Sequence, residues 1–408
     1  TIGTSPARSA AEPMRILILG AGYAGLRAAL DLGHAKAHGH LPASVQVDLV
    51  ERAECHRVIF WMHQVAAGTL SGDDACIDYG DLPLEHIALH RAEVQALDPD
   101  RATVTTSAGD FPYDALVLAL GSRAAVPDIP GLAAKAHTLR DRAGAEALHH
   151  ALEHALGRAG AGGSPAEQAR WATVAVAGGG FTGCQLAGEL AHRLPDRADR
   201  HGVPLRQVRL VLLEGRERLL PAMAACHGRS ARRILADKGV EVWTGAPLER
   251  VGEETLVAGG SGLAFGTLAW AGGIRAPALL ADSGLELDGA GRLRLDRFLR
   301  APAHPEIRAA GDCAARIDDP AAEATATEAI HQGRYLAAAL REEAQGRLPA
   351  PYRPNRLGLL VALGDSDAVG TVGPAPLAGR AAGLIKNGAE RTYPDTLRGV
   401  SPEAFLNP

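Results

Sequence analysis

One sequence unit occurs twice in this chain, and it limits the possible folds more than any other feature. The first copy opens with the apolar run Arg15–Leu19, which has the length of a strand. Residues 20–25 follow as GAGYAG, a G-x-G-x-x-G motif, and an alanine-rich helical stretch covers about residues 26–38. A second apolar run, residues 45–50, ends at Glu51. This order of strand, glycines, helix, strand and acid predicts a dinucleotide-binding unit.

Each glycine of the motif has a physical role in such a unit. Gly20 permits the tight turn, Gly22 lets the backbone approach a pyrophosphate, and Gly25 lets the helix pack on the strand. The start of the helix offers N–H groups and the positive end of its dipole to phosphates, and the acid accepts hydrogen bonds from a ribose. The predicted cofactor-binding residues of this copy are Gly20, Gly22, Tyr23, Ala24, Gly25, Glu51 and Arg52.

The second copy repeats the first in the same order. Thr173–Ala177 reads as a buried strand, residues 178–183 are GGGFTG, and a helix is predicted over residues 184–194. The next strand, residues 208–213, ends at Glu214. Such an internal duplication favours two dinucleotide sites over a chance match. Here the predicted cofactor-binding residues are Gly178, Gly180, Thr182, Gly183 and Glu214.

Two dinucleotides in one chain indicate that they react with each other. Hydride transfer from a nicotinamide to a flavin is the most economical such chemistry. Glu51 and Glu214 favour a free ribose 2′-hydroxyl, which predicts FAD in one site and NADH in the other. NADPH is the less favoured alternative, because Arg216 and Arg218 follow Glu214 and are able to accept a 2′-phosphate.

Composition excludes several other classes of protein. The 408 residues allow two or three domains, and a net charge of −5 gives no sign of nucleic-acid binding. The five cysteines include no C-x-x-C and no close pair, which fits a reducing, cytoplasmic location and predicts no metal site. No apolar run approaches the roughly 20 residues of a membrane helix. Residues 1–13 are expected to be a disordered leader or tag.

Outside the two repeated units, the sequence has less regular patterns, which predict further strands and helices. Residues 52–72 are expected to be irregular. The predicted strands cover residues 94–97, 102–106, 114–120, 268–273, 291–299, 307–314, 357–363 and Ala368–Val372. The predicted helices cover residues 139–158, 321–340 and 377–393, the last of them stopped by Pro394 and packed on the protein's own core.

With these residues in view, the chain resembles two-dinucleotide-binding-domain flavoproteins and, among them, the type II NADH dehydrogenases. The matching runs are AGGGFTGCQLAGEL at residues 177–190, LAWAGGIRAPALLADSGLELD at 268–288 and AAGDCAA at 309–315. The resemblance implies an α/β fold with two Rossmann-like domains. The FAD domain, residues 14–127 and 287–343, is split by an NAD(P)H domain, residues 128–286, and a small α+β region follows at 344–408.

The resemblance also implies further site residues and a two-step reaction. Asp312 is expected to contact the ribityl chain of the flavin and Gly121 to line its pyrophosphate region. Gly311, Gly272 and Gly273 are further predicted cofactor-binding residues. NADH passes hydride to the flavin, which then reduces a quinone. The chain departs from the family where it has Cys184-Gln185 in place of V-E. In the quinone motif A-Q-x-A-x-Q-Q, it has Thr327 and His331 in place of two amides. The catalytic candidates are Gln185, Glu189, Thr327, His331 and Gln332.

These departures leave the two dinucleotide-binding motifs intact but change the region expected to bind the electron acceptor. Alternative functions therefore stay open. One is a soluble NAD(P)H-dependent flavoenzyme that reduces or tailors a quinone-like or aromatic small molecule. Another resembles sulfide:quinone oxidoreductases and would use Cys184, which lies at a helix start. A third is a non-enzymatic NADH-sensing flavoprotein. Peripheral contact with the inner face of the membrane and a homodimer are also compatible with the sequence.

Overall fold

The structure, a computed structural model, describes residues 13–319, 324–354 and 358–399. In these ranges the chain forms two largely parallel β-sheets flanked by helices, and a small α+β unit follows. The predicted α/β class with Rossmann-type units is confirmed. The predicted leader, residues 1–13, lies outside the described residues except for Pro13.

Residues 13–127 supply one part of the first sheet and the small ladders beside it. The helices are α1 (Tyr23–Ala37) and α2 (Met62–Ala67). The strands are β1 (Arg15–Leu19), β2 (Gln46–Glu51), β3 (Cys55–Arg57), β4 (Cys76–Asp78), β5 (Ala88–Arg91), β6 (Val94–Asp98), β7 (Thr103–Thr106), β8 (Gly109–Pro112), β9 (Ala115–Leu118) and β10 (Arg123–Ala124). Ile16–Leu19 of β1 are almost completely buried, as expected of a parallel strand covered on both faces.

Residues 128–286 build the second sheet. The helices are α3 (Leu132–Lys135), α4 (Arg142–Gly160), α5 (Pro165–Trp171), α6 (Phe181–Arg200) and α7 (Ala225–Asp237). The strands are β11 (Ala136–His137), β12 (Thr173–Ala177), β13 (Arg209–Leu213), β14 (Val240–Trp243), β15 (Leu248–Val251), β16 (Thr255–Ala258), β17 (Ser261–Ala264), β18 (Thr267–Trp270) and β19 (Ile274–Arg275). The order in the sheet is β11-β18-β12-β13-β14, and all pairs are parallel.

The chain then returns to the first sheet. This stretch contains β20 (Leu293–Leu295), β21 (Arg300–Ala301), β22 (His304–Ala309), β23 (Ala314–Arg316) and α8 (Ala326–Ala344). Strand β22 pairs in parallel with β9, with Ile307 opposite Leu116. The first sheet therefore has the order β21-β22-β9-β1-β2-β5. Helix α8 packs tightly on α1, because a Cβ added at Gly333 would lie 2.3 Å from the carbonyl oxygen of Ala24.

The last described stretch is an antiparallel ladder with one helix. Its elements are β24 (Gly358–Ala362), β25 (Ala368–Val372), β26 (Ala375–Gly379) and α9 (Arg380–Leu397). The helix predicted over about residues 377–393 is confirmed as α9, but its predicted start was three residues too early, because Leu377 lies in β26. The prediction that Pro394 ends the helix was wrong. Only the last turn follows this proline, and buried Tyr393 and Leu397 hold that turn on the core.

The apolar positions of α9 do not pack as expected. Ala381 and Ala389 are exposed, and Leu384 and Ile385 are 76% and 45% exposed. The side of α9 that packs on the protein carries Ala382, Gly383, Glu390, Tyr393 and Leu397. The expectation that the apolar positions pack on the core was therefore wrong. Among the described residues, no helix has the length and apolar character to cross a membrane.

Residues 52–72 are more ordered than their composition predicted. They contain β3, a 3-10 turn at Ile59–Trp61 and α2. Strand β3 pairs antiparallel with β4, and this brings Cys55 and Cys76 together in a disulfide with a Cα–Cα distance of 5.7 Å. The cysteine spacing did not predict this disulfide, because the two cysteines are 21 residues apart in sequence and meet only through strand pairing.

Candidate functional site

The first glycine turn has the geometry that its motif predicts. Gly20 has a φ of +96°, and its N–H donates to the carbonyl of Val50 at 2.8 Å. A Cβ at Gly25 would lie 1.9 Å from the Gly20 oxygen, so only glycine permits this helix–strand contact. A Cβ at Gly22 would meet no atom within 4 Å. The turn is therefore open on the side where a pyrophosphate would bind.

The second glycine turn repeats this geometry. Gly178 has a φ of +117°, and its N–H donates to the carbonyl of Leu213 at 2.8 Å. A Cβ at Gly183 would lie 1.7 Å from the Gly178 oxygen, whereas one at Gly180 would again meet no atom within 4 Å. Both α1 and α6 begin without a side-chain cap. Each helix start thus presents N–H groups suited to an anion.

The acid at the end of each second strand is bonded to its own turn. Glu51 accepts hydrogen bonds from the N–H groups of Ala21 and Ala53, both at 2.7 Å. Glu214 accepts from the N–H groups of Gly179 at 2.7 Å and Arg216 at 2.8 Å. These bonds fix each carboxylate beside its glycine turn. A carboxylate oxygen has lone pairs to spare for a ribose hydroxyl.

A cavity of about 680 Å³ opens between the two sheets and α9. Ten of the predicted site residues line it: Tyr23, Gly178, Gly180, Thr182, Gln185, Glu214, Gly272, Gly273, Asp312 and Thr327. The structure thus brings the second glycine turn together with residues of the first sheet. The remaining predicted residues do not line the cavity: Gly20, Gly22, Ala24, Gly25, Glu51, Arg52, Gly121, Gly183, Glu189, Gly311, His331 and Gln332.

Glu189 is a buried link between helices and does not face the cavity. It is 2% exposed and accepts a hydrogen bond from the hydroxyl of Thr69. Burial raises the pKa of Glu189, and the Thr69 bond opposes this shift. Gln185, one turn earlier on α6, does line the cavity.

Gln332 supports the turn that carries Asp312. Its side-chain oxygen accepts from the N–H of Gly311 at 2.7 Å, and its amide donates to Glu328 at 3.0 Å. The Nε2 atom of the neighbouring His331 is buried and has no hydrogen-bond partner among the described residues, and burial lowers the pKa of this imidazole. Of the motif's three amide positions, only the one held by Thr327 lines the cavity.

Asp312 is held by two side chains that the sequence did not single out. Its Oδ2 atom accepts from the hydroxyl of Ser122 at 2.7 Å and from the guanidinium of Arg140. Ser122 follows Gly121, whose φ of +65° turns the chain at the end of β9. Gly311, with a φ of +74°, makes the equivalent turn after β22.

An aromatic cluster forms the wall nearest the first glycine turn. The ring of Tyr23 stacks on Phe60 at 5.5 Å and meets Tyr393 edge-on at 5.4 Å. His56 contacts the carbonyl of Ala21 through Nδ1 at 2.9 Å and the hydroxyl of Tyr393 through Nε2 at 2.8 Å. Since the carbonyl only accepts, Nδ1 carries the proton and Nε2 accepts from Tyr393.

The contribution of α9 to the cavity was not predicted from the sequence. Lys386, Glu390 and Tyr393 line it, and Lys386 forms an ion pair with Glu390 at 2.6 Å. Burial and the charge of Lys386 lower the pKa of the adjacent His63 to about 3, so this histidine is neutral. A lysine and a glutamate four residues apart on the predicted helix were the available signal.

The free cysteines beside the turns are not activated thiols. Cys184 and Cys313 are fully buried, and burial raises the pKa of the Cys184 thiol. Burial also raises the pKa of Cys313 to about 11. Neither lines the cavity, and neither does the Cys55–Cys76 disulfide. Thiol chemistry therefore has no support here.

Comparison with known proteins decides the family. The sequence profile of the pyridine nucleotide-disulphide oxidoreductases matches residues 14–333. The chain belongs to this family. It is 29% identical over 387 residues to the type II NADH:quinone oxidoreductase of Staphylococcus aureus (strain MSSA476), covering 92% of this chain and 94% of that protein. Orthologous sequences from strains MW2 and NCTC 8325 / PS 47 match to the same extent.

Solved structures show where the same fold is found. NDH2 from Plasmodium falciparum in complex with NADH superposes with a TM-score of 0.80 at 15% identity, covering 97% of this chain and 99% of that one. The sulfide:quinone oxidoreductase of Aquifex aeolicus superposes with a TM-score of 0.78 at 17% identity, covering 96% and 95%. These similarities establish the fold, and the two proteins differ in the substrate they are named for.

Proposed function

We propose that the protein is an FAD-dependent NADH dehydrogenase that passes electrons to a quinone-type acceptor. The observation that carries the proposal is the cavity that joins the second glycine turn to Tyr23 of α1 and to Asp312, which follows β22 of the first sheet. The Staphylococcus aureus relatives, named as type II NADH:quinone oxidoreductases, point to the same activity. When bound, FAD accepts hydride from NADH and delivers two electrons to the acceptor.

The residues of each half fit their proposed cofactor. The open turn at Gly22 and the uncapped start of α1 suit the pyrophosphate of FAD, with Glu51 for the ribose. The turn at Gly180, the start of α6 and Glu214 suit NADH in the same way. We therefore assign residues 14–127 and 287–343 to the FAD domain and 128–286 to the NADH domain.

The preference for NADH over NADPH has a structural argument. The guanidinium of Arg218 donates to the carbonyls of Met223 at 2.7 Å and Pro221 at 2.8 Å. This arginine is committed to its own loop and is not available for a 2′-phosphate. Arg216 lines the cavity, but the carboxylate of Glu214 beside it repels a phosphate. We therefore expect NADH to be the better substrate.

The acceptor side contains polar groups that suit a quinone. Gln185 and Thr327 offer neutral hydrogen bonds to a carbonyl oxygen, and the Lys386–Glu390 pair adds charged groups to the cavity wall. Quinone reduction consumes protons, and the lysine ammonium is a donor that bulk solvent can recharge. Neutral His63 is not a proton donor at physiological pH.

A second candidate is an NAD(P)H-dependent flavoenzyme that reduces another quinone-like or aromatic molecule. It is favoured by Gln185 and Thr327, because both alter polar groups on the cavity wall relative to the family motifs. The first reaction would be the same, and only the acceptor would differ.

One experiment separates these functions. The purified protein is tested for bound FAD by its absorption spectrum, then for NADH and NADPH oxidation with and without a short-chain quinone. We expect NADH to bleach the flavin and quinone to restore it with turnover. Bleaching without turnover on quinones favours the second candidate. A colourless protein that takes up no FAD contradicts both.

We also propose peripheral membrane contact through α9. Exposed Leu384 and Ile385 lie beside the exposed cations Arg380 and Arg391, a combination that suits an anionic lipid surface. Co-sedimentation with phosphatidylglycerol vesicles should fall in L384D. The control is L348D, because Leu348 is 93% exposed and lies outside α9. Equal binding of both variants contradicts the contact, and light scattering in the same preparation tests the homodimer.

A further inference from the structure

Arg140 lies among the elements of the second sheet in sequence, but its side chain contacts residues that follow strands of the first sheet. It lies between β11 of the second sheet and α4, whose N-cap is Asp141. Its guanidinium, however, donates to Asp312 and, through Nε, to the carbonyl of Ser122 at 3.2 Å. Both acceptors follow strands of the first sheet. This arginine therefore bridges the two sheets at the edge of the cavity.

The bridge leaves hydrogen-bonding capacity on both partners. The described contacts of Asp312 all use Oδ2, from Ser122 and Arg140. Its Oδ1 atom has no partner among the described residues. The guanidinium has five N–H donors, and its contacts within the described chain use two of them. Arg140 and Asp312 both line the cavity, and the Arg140 side chain is 23% exposed.

The other cations of the cavity wall have different neighbours. Lys386 is paired with Glu390 on α9, and Arg216 stands beside Glu214 at the second glycine turn. Arg140 is the cation that contacts the Gly311–Asp312 turn. Its charge also opposes the rise in the pKa of the Tyr23 hydroxyl that burial causes, so its field extends to the start of α1.

We propose that Arg140 is an FAD-binding residue supplied by the NADH domain. Its unused N–H groups donate to the ribityl–pyrophosphate portion of FAD, next to the free oxygen of Asp312. FAD is a dianion at its pyrophosphate, and a planar guanidinium suits that charge. Retention of FAD then depends on docking of the second sheet. This inference rests on the proposed function, because it requires FAD in the first site.

The test measures FAD release from the full-length holoenzyme. Flavin fluorescence on serial dilution gives the dissociation constant for wild type, R140A, R140K and the control R123A. Arg123 is an exposed arginine at the same junction, and its side chain makes no hydrogen bond or ion pair among the described residues. We expect R140A to raise the FAD dissociation constant about 10- to 100-fold. R140K should lie between R140A and wild type, and R123A should match wild type.

A second comparison separates a direct contact from an effect through Asp312. In a D312N background the ion pair is already weakened. R140A should still weaken FAD binding there if Arg140 contacts FAD itself. No additional loss overturns the proposal, and so does an R140A dissociation constant equal to wild type. If R140A does not fold, the charge-conserving R140K carries the same decision. A wild-type protein that binds no FAD refutes the proposed function instead.

Discussion

The two glycine turns share one backbone scheme but differ in what surrounds them. Their corresponding hydrogen bonds agree within about 0.1 Å, from Gly20 and Gly178 to Glu51 and Glu214. The first turn is covered by α8, which touches Ala24, and by His56 at Ala21. The second faces the cavity, and Thr182, the counterpart of Ala24, is exposed there. A covered turn suits a resident cofactor, and an open one suits a coenzyme that exchanges each cycle.

Adding a methyl group at the helix–strand contacts is the strongest test of this difference. G25A and G183A each place a Cβ within 2 Å of a backbone oxygen, so the turn must deform. We expect G25A to purify without FAD and G183A to keep FAD while flavin reduction by NADH is lost. Absorption spectra and anaerobic NADH titration measure both. The controls are G22A and G180A, where the added methyl meets open space. These should leave the apoprotein's melting temperature unchanged.

Substitutions of Glu51 and Glu214 test the same difference between the two glycine turns, with a smaller expected effect. Glu214→Ala should raise the KM for NADH about 10- to 100-fold, because it removes charge-assisted bonds to ribose and to the turn. FAD content should stay at the wild-type level. Glu51→Ala should do the reverse and reduce FAD content. Loss of FAD from the Glu214 variant, with unchanged NADH kinetics, would mean that the two halves are assigned the wrong way round.

Because His56 is buried against the first glycine turn, the free energy of unfolding should depend on pH in the acid range. Burial lowers the pKa of His56 in the folded protein to about 4, whereas the pKa of a histidine in the unfolded chain is near 6.5. The folded protein therefore binds this proton only at lower pH than the unfolded chain. Stability is therefore complete above about pH 6.5 and falls as pH drops toward 4, by roughly 3 kcal/mol for this group. Urea unfolding at several pH values measures the slope. H56N should flatten it in part, because His63 contributes similarly.

We expect the smallest effect at Tyr393, which contacts His56 beside the first glycine turn. Tyr393→Phe removes the donor to His56 Nε2 and leaves a buried acceptor unpaired, which costs about 1–3 kcal/mol. Limited proteolysis should cut the variant near α9 faster than wild type. Tyr335→Phe is the control, because the Tyr335 hydroxyl bonds to Ala350 at an exposed site. Equal cleavage of the two variants would show that the Tyr393 bond does not hold α9.

The parts that sequence predicted well are the local ones. Strands β12 and β25 begin and end at the predicted residues, and both glycine turns take the predicted geometry. Helix α6 was predicted too short, since Pro195 lies inside a helix that continues to Arg200. In these segments the residues themselves carry the signal, through glycine φ angles and runs of apolar side chains.

The parts that sequence did not predict depend on distant segments meeting. The Cys55–Cys76 disulfide, the Arg140–Asp312 bridge and the lining by α9 each join residues that no periodicity connects. Glu189 and Gln332 were selected by motif, but the motif does not say which face of the helix meets the cavity. Their side chains bond to Thr69 and Gly311.

The hydrogen bond between His56 and Tyr393 also bears on how the protein is made. The two residues are 337 positions apart, so a ribosome adding about 5–20 residues per second separates their synthesis by roughly 20–70 s. During that interval the nascent chain has its first glycine turn but not the helix that closes over it. The contacts of α9 with the first glycine turn therefore form late in synthesis, after both glycine turns have been made.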